Sequence, residues 1–393
     1  MHVRAPVWLR RAGTPQSFAV LFALESFARA LLASLIPIQA YGLLGSAQKV
    51  SVLFFAVSLC GLAANLAVPW LVRHSARRWI YSAGTLLLFS APLALAQGTL
   101  PGQIAGMALR VLGVVAMTVC LSLYIMDHVE RRDLTRSEPM RVFYSAAAWT
   151  TAPGLGVYLA EAVSPLAAYL LSAATVAVLL TYFWYLRLTE TIPPARPGQA
   201  SPNPIVNFRR FFSQPRLALA WAIAVGRNAW WGMFFTFTPI YAIASGLGPE
   251  VGGVAVSAGS GFLFAMPLWA RGLRRFGVRR TFTAALLASA AFTGGVAAFA
   301  GLPWLAFAML MAAAMAMSVL DSGGNVLFLR AVRGRERPEM TPVYATYRDA
   351  AEIGPPAVFA LLLKLFALPV VFVGSGVLML GLARLARFIP RGL

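Results

Sequence analysis

The sequence predicts an all-α integral membrane protein of twelve transmembrane helices, arranged as two pseudo-symmetric six-helix halves. Three observations carry this reading. Of 393 residues, 59% are hydrophobic and 12% charged, too little polar surface for a soluble chain and enough apolar length for many spans. Arginines crowd every second break between apolar windows. Finally, the first half of the chain recurs in the second at a constant offset.

A spanning helix takes about 20 apolar residues, and windows of that kind lie at 16–42, 48–70, 79–97, 102–127, 142–163, 166–187, 217–243, 249–270, 281–299, 302–329, 342–366 and 369–388. Arg4, Arg10 and Arg11 precede span 1, and Arg73, Arg77 and Arg78 separate spans 2 and 3. Arg131, Arg132, Arg136 and Arg141 separate spans 4 and 5, and Arg187, Arg196, Arg209, Arg210 and Arg216 fill the central break. Arg271, Arg274, Arg275, Arg279 and Arg280 follow span 8, Arg330, Arg333, Arg335 and Arg337 follow span 10, and Arg384, Arg387 and Arg391 close the chain. The intervening breaks hold almost no cations, Lys49 and Lys364 being nearest. Cytoplasmic loops carry the Lys/Arg excess, so both termini are expected in the cytoplasm, in a bacterial-type inner membrane. The net charge of +20 is therefore topological. Membrane lipid is an expected partner; nucleic acid is not.

Span 1 holds Glu25 and Arg29, and ionisable groups at bilayer depth mark a pathway, a relay or an internal pair. Residues 224–248 repeat it, with Arg227 answering to Glu25, Trp231 to Arg29 and Pro239 to Pro37. Pro153 and Pro355 are related by the same offset, so the duplication covers most of both halves. The segment 189–215 is rich in Pro and polar residues and reads as a linker between halves 1–188 and 216–393. Within it, Asn207 to Phe212 reads as a short amphipathic helix with arginines toward headgroups and phenylalanines toward lipid.

No phosphate loop, zinc motif or nucleophile elbow occurs, so no enzyme chemistry and no cofactor are expected. His2, His74 and His128 are too scattered to form a metal site. Cys60 and Cys120 lie in apolar windows as small hydrophobes, and no disulfide is implied.

The basic turns PWLVRHSARRWIYSAG (69–84) and PLWARGLRRFGVRRTF (267–282), joined to two six-span halves, resemble the major facilitator superfamily. That family's turn motif is of the type Gly-x-x-x-Asp-Arg-x-Gly-Arg-Arg. Arg77-Arg78 and Gly277 with Arg279-Arg280 are kept, while Arg73 and Arg274 stand at the aspartate positions. The segment ALRVLGVVA (108–116) around Arg110 resembles the helix 4 motif of proton-coupled members, and Ala152-Pro153-Gly154-Leu155-Gly156 is similar to the helix 5 motif of exporters. The exporter reading and plain close packing of Pro and Gly weigh evenly.

The resemblance implies that spans 1, 4, 7 and 10 line a cavity, and these hold Glu25, Arg29, Arg110, Arg227 and Asp321. Glu25, Arg110 and Asp321 are the expected proton-coupling residues. Arg29, Arg227, Asn228, Trp231 and Asn325 are the expected substrate residues, Asp321 and Asn325 being placed on one helical face. Arg73, Arg274, Arg348, Asp349, Glu352, Pro153 and Pro355 are the expected gating residues, with Arg73 paired to Asp349 and Arg348 to Glu352. Arg110 is expected to read the protonation state of Glu25, with Arg29 as the competing partner, since Glu25 and Arg29, four apart, can also neutralise one another. The implied function is monomeric, secondary active transport of a small organic compound by alternating access, first as proton-coupled export by antiport. Proton-coupled or facilitated uptake of an organic anion is the second reading, and a transport-inactive receptor or assembly protein the third.

Overall fold

The computed structural model describes residues 15–128, 131–186, 204–333 and 336–390. Every regular element among them is helical, as a bilayer demands of a chain that must satisfy its own backbone. In order these are α1 (Pro15–Leu31), α2 (Leu35–Leu44), α3 (Ala47–His74), α4 (Arg77–Leu95), α5 (Leu100–His128), α6 (Arg131–Tyr158) and α7 (Ala167–Tyr185). Then follow α8 (Pro204–Phe212), α9 (Pro215–Ala244), α10 (Pro249–Gly261), α11 (Met266–Phe276), α12 (Val278–Ala298), α13 (Pro303–Gly323), α14 (Val326–Ala331), α15 (Arg337–Ala345), α16 (Tyr347–Leu365) and α17 (Val370–Ala386). All twelve predicted windows fall on helices. Among the described residues, seven stretches are by themselves long and apolar enough to cross a membrane. Arg4, Arg10, Arg11, Arg187, Arg196, Arg335 and Arg391 lie outside the described residues.

The chain divides into two compact units, one of residues 1–44 and 56–194, the other of 45–55 and 195–393. The first turns of α3 thus cluster with the second unit. In unit 1 a core of Phe18, Leu21, Tyr81, Met117, Tyr124 and Phe183 joins α1, α4, α5 and α7, with Tyr81 stacked on Phe183 at 4.1 Å between centroids. In unit 2 the core runs along α9, where Trp230 stacks on Phe234 at 5.2 Å and donates to Thr293 Oγ1 at 2.9 Å.

Span 1 is not the single helix predicted. It breaks at residues 32–34, and Pro37, which has no N–H to bond the carbonyl four residues back, falls in the first turn of the new helix, where none is needed. Around the break Gln103 Nε2 donates to Ile36 O at 3.1 Å, and Ser172 Oγ donates to Ala28 O at 3.0 Å. Gly156 of α6 lies on the Leu31 carbonyl, where any Cβ would collide with it, beside the buried Ala30, Leu31 and Ala152. The glycine of the exporter-like segment is therefore a close-packing site. The repeat is imperfect here. Pro239 sits inside an unbroken α9, and the position of α16 answering to Gly156 is Val358, 52% exposed. Gly156→Ala is expected to destabilise the protein by about 1–3 kcal/mol through overpacking, read as a lower Tm of the purified protein; an unchanged Tm would mean that α6 is free to move off α1.

Spans 8 and 11 are also interrupted, at residues 262–265 and at Thr346, and other elements depart from expectation. Helix α6 begins at Arg131 rather than 142, so span 5 extends through its basic lead-in. Span 10 breaks after Gly323, with Gly324 at φ 45°, a region open mainly to glycine. The linker helix is longer than predicted, and it docks on protein while Arg209, Phe208 and Phe212 stay exposed. Its Phe211 is fully buried, Phe212 meets the Trp221 edge at 5.2 Å, and Arg210 bonds Glu336 at 2.6 Å and Glu339 at 3.0 Å.

The Arg210 hydrogen bond, followed by that from Gln214, holds the Glu336 carboxyl below its ordinary range. A carboxylate depressed in the folded state stabilises above its unfolded pKa and loses that contribution as pH falls through the folded value. Docking of α8 is therefore expected to hold at neutral pH and to loosen only in acid, below the ordinary carboxylate range, seen as faster amide exchange in residues 204–212. Exchange independent of pH, once the intrinsic rate is removed, would show that the ion pairs do not hold the helix.

Candidate charged sites in the two units

In unit 1 the site is built on α1. Glu25 is fully buried and receives Arg29 Nη1 at 3.1 Å, the Arg29 side chain being 27% exposed. The spacing of four on one helix makes this pair local, as the sequence suggested. Arg110 reaches in from α5, its Nη2 donating to the Arg29 carbonyl at 3.5 Å. Its cation thus lies at the backbone of the residue that holds Glu25. Tyr81 of α4, buried in the core, is close enough to Glu25 to interact electrostatically. Nothing in the sequence singled Tyr81 out, since its spacing is that of any core aromatic. The cluster holds two arginines and one carboxylate.

In unit 2 the carboxylate comes from another helix. Arg227 Nε of α9 meets Asp321 Oδ1 of α13 at 3.4 Å, both side chains mostly buried, and Trp231 Nε1 donates to Asp321 Oδ2 at 2.8 Å. Arg227 Nη1 also donates to the Gly324 carbonyl at 3.4 Å, which the helix break leaves outside the α-helical ladder. One guanidinium thus joins the carboxylate to the broken turn, a division of donors that the guanidinium fork allows. A cavity of about 10 Å³ lies against Arg227, Gly324 and Tyr344, room for about one water.

Asp321 and Asn325 do not share a face as expected, because the helix stops between them. Asn325 Oδ1 instead accepts from Tyr344 Oη at 3.2 Å. Asn228, expected to meet substrate, turns its amide to the Ala224 carbonyl of its own helix at 2.9 Å. Trp230, Phe234 and Phe237 are core residues, while Trp231 and Phe235 are only partly buried and stack at 5.5 Å.

The expected gating residues lie on α3, α6, α11 and α16. The Arg73 side chain lies outside the described residues, so its pairing with Asp349 stays an expectation. Arg348 donates from Nε to Tyr347 Oη at 3.3 Å and lies near enough to Asp349 and Glu352 to interact with both. Arg274 is exposed in the last turn of α11. Pro153 is buried in α6, and Pro355 lies within α16 beside Pro356. Among the described residues no cluster of His, Cys, Asp and Glu could hold a metal.

Long apolar helices with ion pairs in their interior define a multi-pass integral membrane protein of the transporter class. The sequence profile of the Major Facilitator Superfamily matches residues 18–355, and the chain belongs to that family of secondary transporters. Among solved structures it is similar to a peptide transporter, POT, in complex with sulfate (14% identity, 95% of this chain and 94% of that one, TM-score 0.73). It is also similar to a POT family transporter in complex with 5-aminolevulinic acid (11%, 94% of each chain, 0.74). A third is the nucleoside transporter NupG (12%, 94% and 97%, 0.73). At such identities the likeness is one of fold. No curated protein sequence matches the chain.

Proposed function

We propose that this protein is a proton-coupled secondary transporter of a small organic compound, with Glu25 and Asp321 as the groups that exchange protons. The observation that carries the reading is one interior carboxylate–arginine pair in each unit, Glu25 with Arg29 and Asp321 with Arg227. Protonating either carboxylate releases its arginine, and a released arginine is an anion site. Proton uptake and substrate binding are thereby linked without a nucleotide-driven step. Arg110, which meets the Arg29 backbone, brings a second guanidinium to the unit 1 cluster, and arginines suit a compound bearing a carboxylate or phosphate group.

Export in exchange for protons and uptake together with them use the same groups. The exporter-like segment of α6 is accounted for by packing of Gly156 on Leu31 and gives export no independent support. The second reading is proton-coupled uptake of an organic anion. Orientation with both termini in the cytoplasm of an inner membrane follows from the arginine pattern.

The experiment is a screen of anionic and zwitterionic compounds in proteoliposomes under an imposed pH gradient. Flux that follows the gradient supports coupling, and its sign separates antiport from symport. Substrate flux indifferent to the gradient removes proton coupling. Absence of flux for every compound, with binding retained, supports a receptor that keeps the fold.

A further inference from the structure

A cavity of about 220 Å³ opens in unit 2 where the start of α9, the end of α14 and the segment after α17 meet. Arg216 and Arg330 stand on its wall, and Leu219, Leu327 and Ile389 supply apolar lining. Neither arginine has an ion pair or hydrogen bond among the described residues. By contrast Arg210 is paired with Glu336 and Glu339, and Arg227 with Asp321. Two arginines are therefore left facing one hollow with no acid between them. Arg216 also sits in the first turn of α9 behind Pro215, where the helix dipole adds positive potential.

The position of the cavity along the membrane normal follows from the sequence. Arg216 immediately precedes the apolar window 217–243, and Arg330 immediately follows 302–329, so both mark the edge of the hydrocarbon on the arginine-rich side. Leu219 and Leu327 lie within those windows. The hollow is cationic at the headgroup level and apolar beneath it. The hollow has room for a phosphate and the start of a glycerol but not for acyl chains. Beside it in sequence, Leu329, Leu385 and Phe388 are exposed, a lipid-facing surface along which chains can run.

We propose that this cavity seats the phosphate of an anionic phospholipid between Arg216 and Arg330, with its acyl chains on the apolar surface beside it. The lipid would tie α9 to α14 across the break in span 10, on the far side of Ala220 and Leu327 from the Arg227 cavity. The site is independent of which compound the protein carries, and its test needs no transport assay.

The purified full chain is examined by native mass spectrometry with phosphatidylglycerol, phosphatidylcholine or inorganic phosphate added. One phosphatidylglycerol per chain is expected to be retained in preference to phosphatidylcholine. Arg216→Ala with Arg330→Ala is expected to weaken that retention about thirtyfold, from the attraction of two arginines for an anionic headgroup. Arg384→Ala with Arg387→Ala removes the same charge from the same side outside the cavity, and is expected to leave retention unchanged. Ala331→Trp fills the hollow and keeps both arginines, so it serves should the double alanine variant not fold; it too is expected to lose the lipid. Equal retention of phosphatidylcholine, or equal loss in the Arg384 and Arg387 variant, would overturn the site in favour of general surface attraction. Inorganic phosphate that displaces phosphatidylglycerol and raises Tm by the same amount would assign the cavity to a free anion instead.

Discussion

Glu25→Gln is expected to abolish accumulation driven by a pH gradient while leaving energy-independent exchange of substrate largely intact. Glutamine keeps an oxygen that can accept from Arg29 and cannot ionise, so the variant is locked in the equivalent of the protonated state. The Arg29 side chain is 27% exposed and can take up hydration when its counter-charge is lost, which favours a folded variant. With one proton coupled, a gradient of one pH unit supports about tenfold accumulation, and this ratio is expected to fall to about one. Counterflow in the same proteoliposomes reports whether binding survives. A normal accumulation ratio in Glu25→Gln would move the proton site elsewhere, and Asp321 would be tested next.

Arg227→Ala is expected to cost about 3 kcal/mol of stability, the lower end of what is lost when one partner of a buried ion pair is removed. The pair is not fully dry, with side-chain exposures of 12% and 17%, and Asp321 keeps the Trp231 hydrogen bond. Adding Asp321→Asn removes the stranded charge and is expected to restore most of the loss. A residue of about 1 kcal/mol should remain for the missing hydrogen bond to the Gly324 carbonyl. Thermal unfolding of the three variants forms a cycle, and purely additive losses would show that Arg227 and Asp321 do not interact.

The parts of the site that were legible in the sequence are the local ones. Glu25 and Arg29 are four residues apart in an apolar window, and helical geometry alone brings them together. Asp321 and Asn325 have the same spacing, yet the rule fails there because Gly323-Gly324 ends the helix between them. A glycine pair inside an apolar window is a readable warning, but whether the turn opens depends on what meets it, here the Arg227 guanidinium. Tyr344 and Tyr81 were missed for a related reason: a tyrosine in a span gives no pattern of its own, and only its neighbours make it polar machinery. Among the aromatics of α9, periodicity could not separate Trp230, which is core, from Trp231, which holds Asp321.

The sequence by itself determined that the chain is helical and built for a membrane, and where its apolar windows lie. Lipid imposes a fixed length of apolar residues and a self-satisfied backbone on each span separately, so these features are local and composition records them. Only the tertiary structure decided that Arg227 takes its carboxylate from α13, that span 1 breaks where Gly156 meets Leu31, and that the linker helix docks on Glu336 and Glu339. Each of these depends on how closely two helices distant in the chain approach and at what angle, and the apolar period, which says only which face is greasy, carries no measure of either.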